Sequence, residues 1–285
     1  MVRKFSTLTS CMLSVCIAAG TFFISSCGQK EDESQKDVGE VTKDTVKSEV
    51  RVDFDMLRAK IPSPGELTKK LTAAKINYNK NFLLSSSKSG SFSSSYQKAI
   101  GMGAFGADLS IAAAFNQPQD ALEYLSAMGK LAGDLGISSA FDPEFSKQLI
   151  SKIGKPDTFQ LMLDKAYDKA EKNLRSNQRV ATTVLMVAGG WVESLYISIE
   201  GLNTNPTSRD ARLFYLDISD KCHAFEYIYQ LLDAYKTNAD CAKLIKDMED
   251  SKSMLNAVGR NPKFGPDGLP KLRETVTALR NKITG

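Results

Sequence analysis

Beyond Arg51 the apolar residues recur every three to four positions, and this period persists to the C-terminus. Side chains at that spacing share one face of an α-helix, whereas a half-buried strand alternates every second residue. Leu67, Leu71, Ala74 and Tyr78 begin the series, Leu122, Leu125, Met128 and Leu131 continue it, and Leu272, Val276, Leu279 and Ile283 close it. No segment sustains convincing strand alternation, so the pattern constrains the chain to an all-α fold.

Capping residues punctuate the period. Ser63-Pro64-Gly65-Glu66 is a capping box with proline at the first helical position, and it predicts a helix through Tyr78. After a serine-rich loop, 85–95, a helix is predicted over 96–115. Asn116-Gln117-Pro118-Gln119 opens another that stops near Gly136, and Asp142-Pro143-Glu144 opens a short one ending at Gly154. Phe159, Leu163, Ala166, Ala170 and Leu174 mark the next. Over 180–202 the segment is apolar enough to suggest a membrane span, and Thr182 to Val187 has strand propensity. Yet Val180, Val184, Val187, Trp191, Leu195, Ile199 and Leu202 hold the helical interval, and Glu193 would cost about 2.5–3.5 kcal/mol at a bilayer centre. A buried core helix is the expectation. Asn205-Pro206 opens what reads as one long helix through Tyr235, with Cys241 to Val258 as its return partner. The sum is eight or nine helices in antiparallel hairpins, bundle-like, forming one domain over 51–285. An α-solenoid is the alternative, although no repeat near the ~34-residue tetratricopeptide period is present.

The N-terminus is addressed differently. Arg3 and Lys4 precede the apolar run Met12 to Ile24, which reads as a secretory signal over residues 1–26. Ile24-Ser25-Ser26-Cys27 resembles a bacterial lipobox, which makes Cys27 the expected acylation site and the membrane a partner through an N-terminal lipid. Residues 28–50 carry seven acidic residues and four lysines with no aromatic group, so 27–50 reads as a lipidated cysteine and flexible charged tether. Gly28 replaces the aspartate that would suggest inner-membrane retention. Lys30-Glu31-Asp32-Glu33 resembles the acidic export signal of surface lipoproteins in Bacteroidetes-type bacteria. An outer-membrane lipoprotein follows, with surface exposure slightly favoured over a periplasm-facing location. The whole chain has a net charge of only +4, which argues against a nucleic-acid partner.

Chemistry-bearing residues are sparse. Cys222 and Cys241 are the only cysteines beyond Cys27, and in two antiparallel helices their heights would differ by roughly 15 Å, so two free buried thiols are expected. His223 is the single histidine, which leaves no basis for a Ser-His-Asp triad or a histidine-rich metal site. No metal or cofactor is expected. Gly101-Met102-Gly103-Ala104-Phe105-Gly106 matches the dinucleotide-binding pattern in letters, but a serine-rich loop and an amphipathic start precede it instead of a strand, and the region of Glu123, where a second strand should end in an acidic residue, reads as helix. It reads instead as a thin stretch of helix that a neighbour can approach closely. Asp108 on that helix and Glu193 on the most apolar one are the candidate ligand or polar-network residues, with Asn116, Gln119, Trp191 and Tyr196 as companions. The plainer alternative has Asp108 bracing a neighbouring helix and Glu193 facing water.

Three segments, Gly106-Ala107-Asp108-Leu109, Asn116-Gln117-Pro118-Gln119 and Ala188-Gly189-Gly190-Trp191-Val192-Glu193-Ser194-Leu195-Tyr196, together resemble a family of uncharacterised helical lipoproteins of Bacteroidetes, from about residue 61 onward. The resemblance implies an all-helical fold and a cell-envelope location, and no activity or substrate. The functional expectation is a non-enzymatic envelope module that binds or scaffolds a protein or glycan partner. A small-molecule sensor with a cleft between the 101–114 and 180–202 helices is the alternative, and a carboxylate-pair hydrolase comes last.

Overall fold

The computed structural model describes residues 54–61, 67, 70–71, 76–204 and 211–285. The signal, Cys27 and the tether lie outside those residues, as does most of the helix expected over 63–78. The described part holds ten α-helices and no strand. They are α1 (Phe54–Arg58), α2 (Ser95–Ala114), α3 (Pro118–Asp134), α4 (Pro143–Ile150), α5 (Pro156–Ser176), α6 (Val180–Asn203), α7 (Ala211–His223), α8 (Phe225–Ala234), α9 (Ala239–Gly259) and α10 (Leu269–Thr284).

The boundaries follow from the caps. The Asp142 carboxylate accepts the Phe145 N–H at 2.8 Å to open α4, and Asn238 accepts the Asp240 and Cys241 N–H groups to open α9. Such caps contribute about 1 kcal/mol each. Prolines occupy the first turn of α3, α4, α5 and α10, where a missing N–H costs nothing. At the other end, α2 closes with Asn116 in the left-handed region (φ 54°), the Gln117 N–H reaching the Ala112 carbonyl and the Asn116 N–H the Ala113 carbonyl. This double bond pattern satisfies two otherwise orphaned carbonyls.

The count exceeds the eight or nine expected partly because the predicted long helix over 205–235 is two helices. It breaks at Ala224, between α7 and α8. Gly259 packs against the break, where a methyl would overlap the Cys222 and His223 backbone. The end of α9 thus presses directly on the joint. The serine-rich loop over 85–95 contains a 3-10 turn at Ser86–Gly90, and a second such turn, Lys80–Phe82, stands just before it.

At the centre, α2 packs along α6 more extensively than any other pair, and α3, α5, α7, α8, α9 and α10 surround them. Helices far apart in sequence meet in one core, a bundle-like arrangement in which contact is not confined to successive neighbours as it is in a solenoid. Although α6 is long and apolar enough to cross a membrane, 78% of its most apolar window is buried inside this body. The glycines explain how close α2 and α6 come. A Cβ at Gly103 would overlap the Met186 carbonyl, one at Gly189 would overlap that of Ile100, and one at Gly190 would lie 3.1 Å from that of Gly103. The apparent dinucleotide motif is therefore mid-helix packing surface, with Gly101 against the Phe92 ring and Gly106 against the Tyr167 hydroxyl.

Because the clashes at Gly103 and Gly189 are with backbone, no rotamer change relieves them. Gly103→Ala and Gly189→Ala are each expected to destabilise the body by about 1–3 kcal/mol in urea unfolding. Gly129, exposed on α3 with nothing within 4 Å of a built Cβ, is the control, and Gly129→Ala should stabilise by about 0.5–1 kcal/mol.

Candidate functional site

Two sites flank the α2–α6 seam. The first is a buried charge cluster. Asp108 from α2 and Glu193 from α6 are both buried, at 0% and 1% exposure, and they meet each other. Arg280 from α10 closes on Glu193 with two bonds, Nε to Oε2 at 2.7 Å and Nη2 to Oε1 at 2.6 Å. Its guanidinium lies 4.1 Å from the centre of the Tyr196 ring, a cation–π contact. Asp108 Oδ2 accepts the Leu84 N–H at 3.2 Å, and the Tyr124 hydroxyl donates to the Leu84 carbonyl at 2.9 Å. The cluster thereby fastens the coil at 82–84 and the helices α3 and α10 to the central pair.

Protonation follows from this geometry. Burial pushes the Asp108 carboxyl well above the usual range, and the neighbouring Glu193 charge pushes the same way. Arg280 and the Leu84 N–H oppose the shift without overcoming it, and the hydrogen bond to Glu193 adds to it. Asp108 Oδ1 meets no donor, so the contact with Glu193 becomes a hydrogen bond when Asp108 carries the proton. The resulting set, Arg280 cation, Glu193 anion and neutral Asp108, has no net charge in the core.

The second site is a cleft of about 320 Å³ on the opposite flank. Its floor comes from α6 (Thr183, Met186, Val187, Trp191), its wall from Leu163 and Tyr167 of α5, and its rim from Asp164, Asp168 and Glu171 of α5 with Arg58 of α1. Tyr167 is fixed by donating to the Met102 carbonyl at 2.9 Å, in the space that Gly106 leaves. The Thr183 hydroxyl is buried and has no hydrogen-bond partner, although the residue lines the cleft. Partial burial raises Asp164 and Glu171 above their ordinary values. A groove of about 330 Å³ between α9 and α10 carries lysines and carboxylates intermixed, with no comparable apolar wall.

The expected residues divide between these places. Asp108, Glu193 and Tyr196 converge through Arg280, a residue the sequence reading missed. A helical wheel carries the signal, because Arg280 shares the Val276, Leu279 and Ile283 face. Asn116 and Gln119 do not join the cluster. Both are exposed, Asn116 terminating α2 and Gln119 standing in the first turn of α3. Trp191 donates its indole N–H to the Lys221 carbonyl at 2.9 Å and lines the cleft instead. Lys221 is itself buried, paired with Asp217, which also binds Lys70. Cys222 and Cys241 are buried and not joined in a disulfide, and burial pushes the Cys222 thiol up. His223 is exposed, its ring edge-on to Tyr227. Comparison of the chain with family models, curated proteins and solved structures finds no match.

Removing Arg280 would strand the Glu193 charge in the core. Arg280→Ala is expected to cost about 3–5 kcal/mol in urea unfolding, more than the joint replacement Glu193→Leu with Arg280→Met. For Asp108 the native pKa exceeds the unfolded one, so its contribution is full below the unfolded carboxylate range. It is lost as pH rises through the native value. Asp108→Asn keeps a donor toward Glu193 at every pH, and its melting temperature should decline less than that of the wild type between pH 5 and pH 9.

Proposed function

We propose that the chain is a cell-envelope lipoprotein whose helical body binds a small molecule in the α5–α6 cleft, without catalysing a reaction on it. The observation that carries this reading is the cleft itself. It combines an apolar floor, two aromatic side chains, a few polar groups and a volume in the range of small-ligand sites. The lipobox at 24–27 and the charged stretch after it support the envelope part, since acyl chains on Cys27 would hold the body at a membrane.

A hydrolase built on Asp108 and Glu193 is disfavoured. Glu193 is held by Arg280 and Asp108 by the Leu84 backbone, and neither carboxyl lines the cleft. A scaffold that docks a protein partner on a broad apolar face has less support than the cleft. The exposed large apolar residues Met56, Leu122, Ile150, Leu161 and Leu216 stand on five different helices.

Trp191 is the only tryptophan, so its emission reports the cleft without labelling. The full chain carrying Cys27→Ser is expected to bind the non-fluorescent neutral probe cyclohexylmethanol at one site by calorimetry, with a shift in Trp191 emission. Val187→Phe should fill the cleft and abolish both signals, while Leu122→Phe, on an exposed face of α3, should change neither. A wild-type titration with no saturable heat removes the reading. Separately, the unmodified chain is expected to incorporate labelled palmitate and sediment with membranes, and Cys27→Ser to incorporate no palmitate. A wild-type chain found unlabelled in the aqueous fraction would overturn the envelope assignment.

A further inference from the structure

We infer that the cleft takes an organic cation: an apolar or aromatic body bearing an ammonium group that sits at the α5 rim. This rests on the reading of the cleft as a ligand site, and it adds the chemical class of the ligand.

Asp164 and Asp168 line the cleft one helical turn apart on α5, the spacing at which like charges face each other and repel. Neither has an ion-pair partner among the described residues. Asp164 accepts only the Gln160 side-chain amide, at 2.7 Å, and Asp168 has no hydrogen-bond partner there. Burial is the main reason Asp164 is raised, and the Asp168 charge pushes it the same way. Both stand exposed at the rim, and a cation placed between them relieves the repulsion. Glu171, the third rim carboxylate, is already paired with Arg175 at 3.1 Å. Arg58 contributes positive field at Asp164 and Glu171, yet one guanidinium against three carboxylates leaves the lining negative.

The rest of the cleft agrees with this charge. Tyr167 and Trp191 line it, and aromatic faces attract ammonium groups as well as apolar bodies. Thr183, only 4% exposed, lines the floor with a hydroxyl that no protein group satisfies. A buried polar atom of this kind costs free energy until a ligand or water reaches it, and Thr183 belongs to the cleft lining. Among the described lining residues Arg58 is the one basic group, which leaves an anionic ligand without a counter-charge of its own.

The test compares three isosteric probes on the full chain carrying Cys27→Ser: 1-naphthylmethylammonium, neutral 1-naphthalenemethanol and anionic 1-naphthoate, titrated calorimetrically at low and moderate salt. The cation is expected to bind about tenfold tighter than the alcohol, with the anion weakest and the advantage shrinking as salt rises. The double variant Asp164→Asn with Asp168→Asn should bring the cation to the affinity of the alcohol and leave the alcohol unchanged, which also shows that the cleft still folds. Equal affinities for cation and alcohol, tighter binding of the anion, or a cation preference that survives the double variant would each overturn the inference while leaving the cleft a binding site. If none of the three binds, the underlying reading falls with it.

Discussion

The close approach of two backbones organises this molecule. Where α2 and α6 cross, glycines at 103, 189 and 190 allow carbonyl groups of one helix to reach the surface of the other. Three glycines inside helices cost about 1 kcal/mol each in conformational freedom, and the dense packing they permit offsets that cost. The seam also determines what lies beside it. Its C-terminal stretch brings Asp108 and Glu193 into contact on one flank, and on the other α5 stands far enough away to leave a cleft.

The buried carboxyl pair follows an electrostatic rule, since two adjacent anions cannot both persist in a medium that solvates neither. The fold resolves this with one guanidinium and one retained proton. A buried ion pair of this kind is weak evidence for added stability, because desolvation offsets much of its attraction. Its effect here is to specify position. The two bonds of Arg280 set the register of α10, and Leu84 is held from both its N–H and its carbonyl.

Much of this was legible in the residues. Among the described residues, helix limits agreed with the sequence to within a few positions where a cap and proline marked them, as at Asp142 and Pro118. The break at Ala224 was not legible, because the apolar period runs through it and the residue packed against it, Gly259, belongs to another helix. Half of the charge cluster could be read, since a carboxylate in an apolar helix demands a partner. The partner lay 87 residues from Glu193, among the apolar positions of a helix that reads as ordinary amphipathic sequence. Asn116 and Gln119 were misplaced because polar residues near a helix end serve termination as readily as recognition. The cleft was invisible for a different reason, as it arises from the spacing between α5 and α6, and no residue pattern encodes an empty volume.

The order Asp108, Glu193, Arg280 along the chain has a consequence for biogenesis. A chain emerging N-terminus first presents both carboxylates, and the whole glycine seam, before the guanidinium that neutralises them exists. Until α10 arrives, closing the central helices would either bury a carboxylate with no cation to pair it or force a second proton onto the pair, so early closure is less favourable than closure of the complete set. The last helix supplies the one cation of the set. Commitment of the core waits on the residue made last among the three, which favours folding of the body as one cooperative unit over a sequence of settled parts.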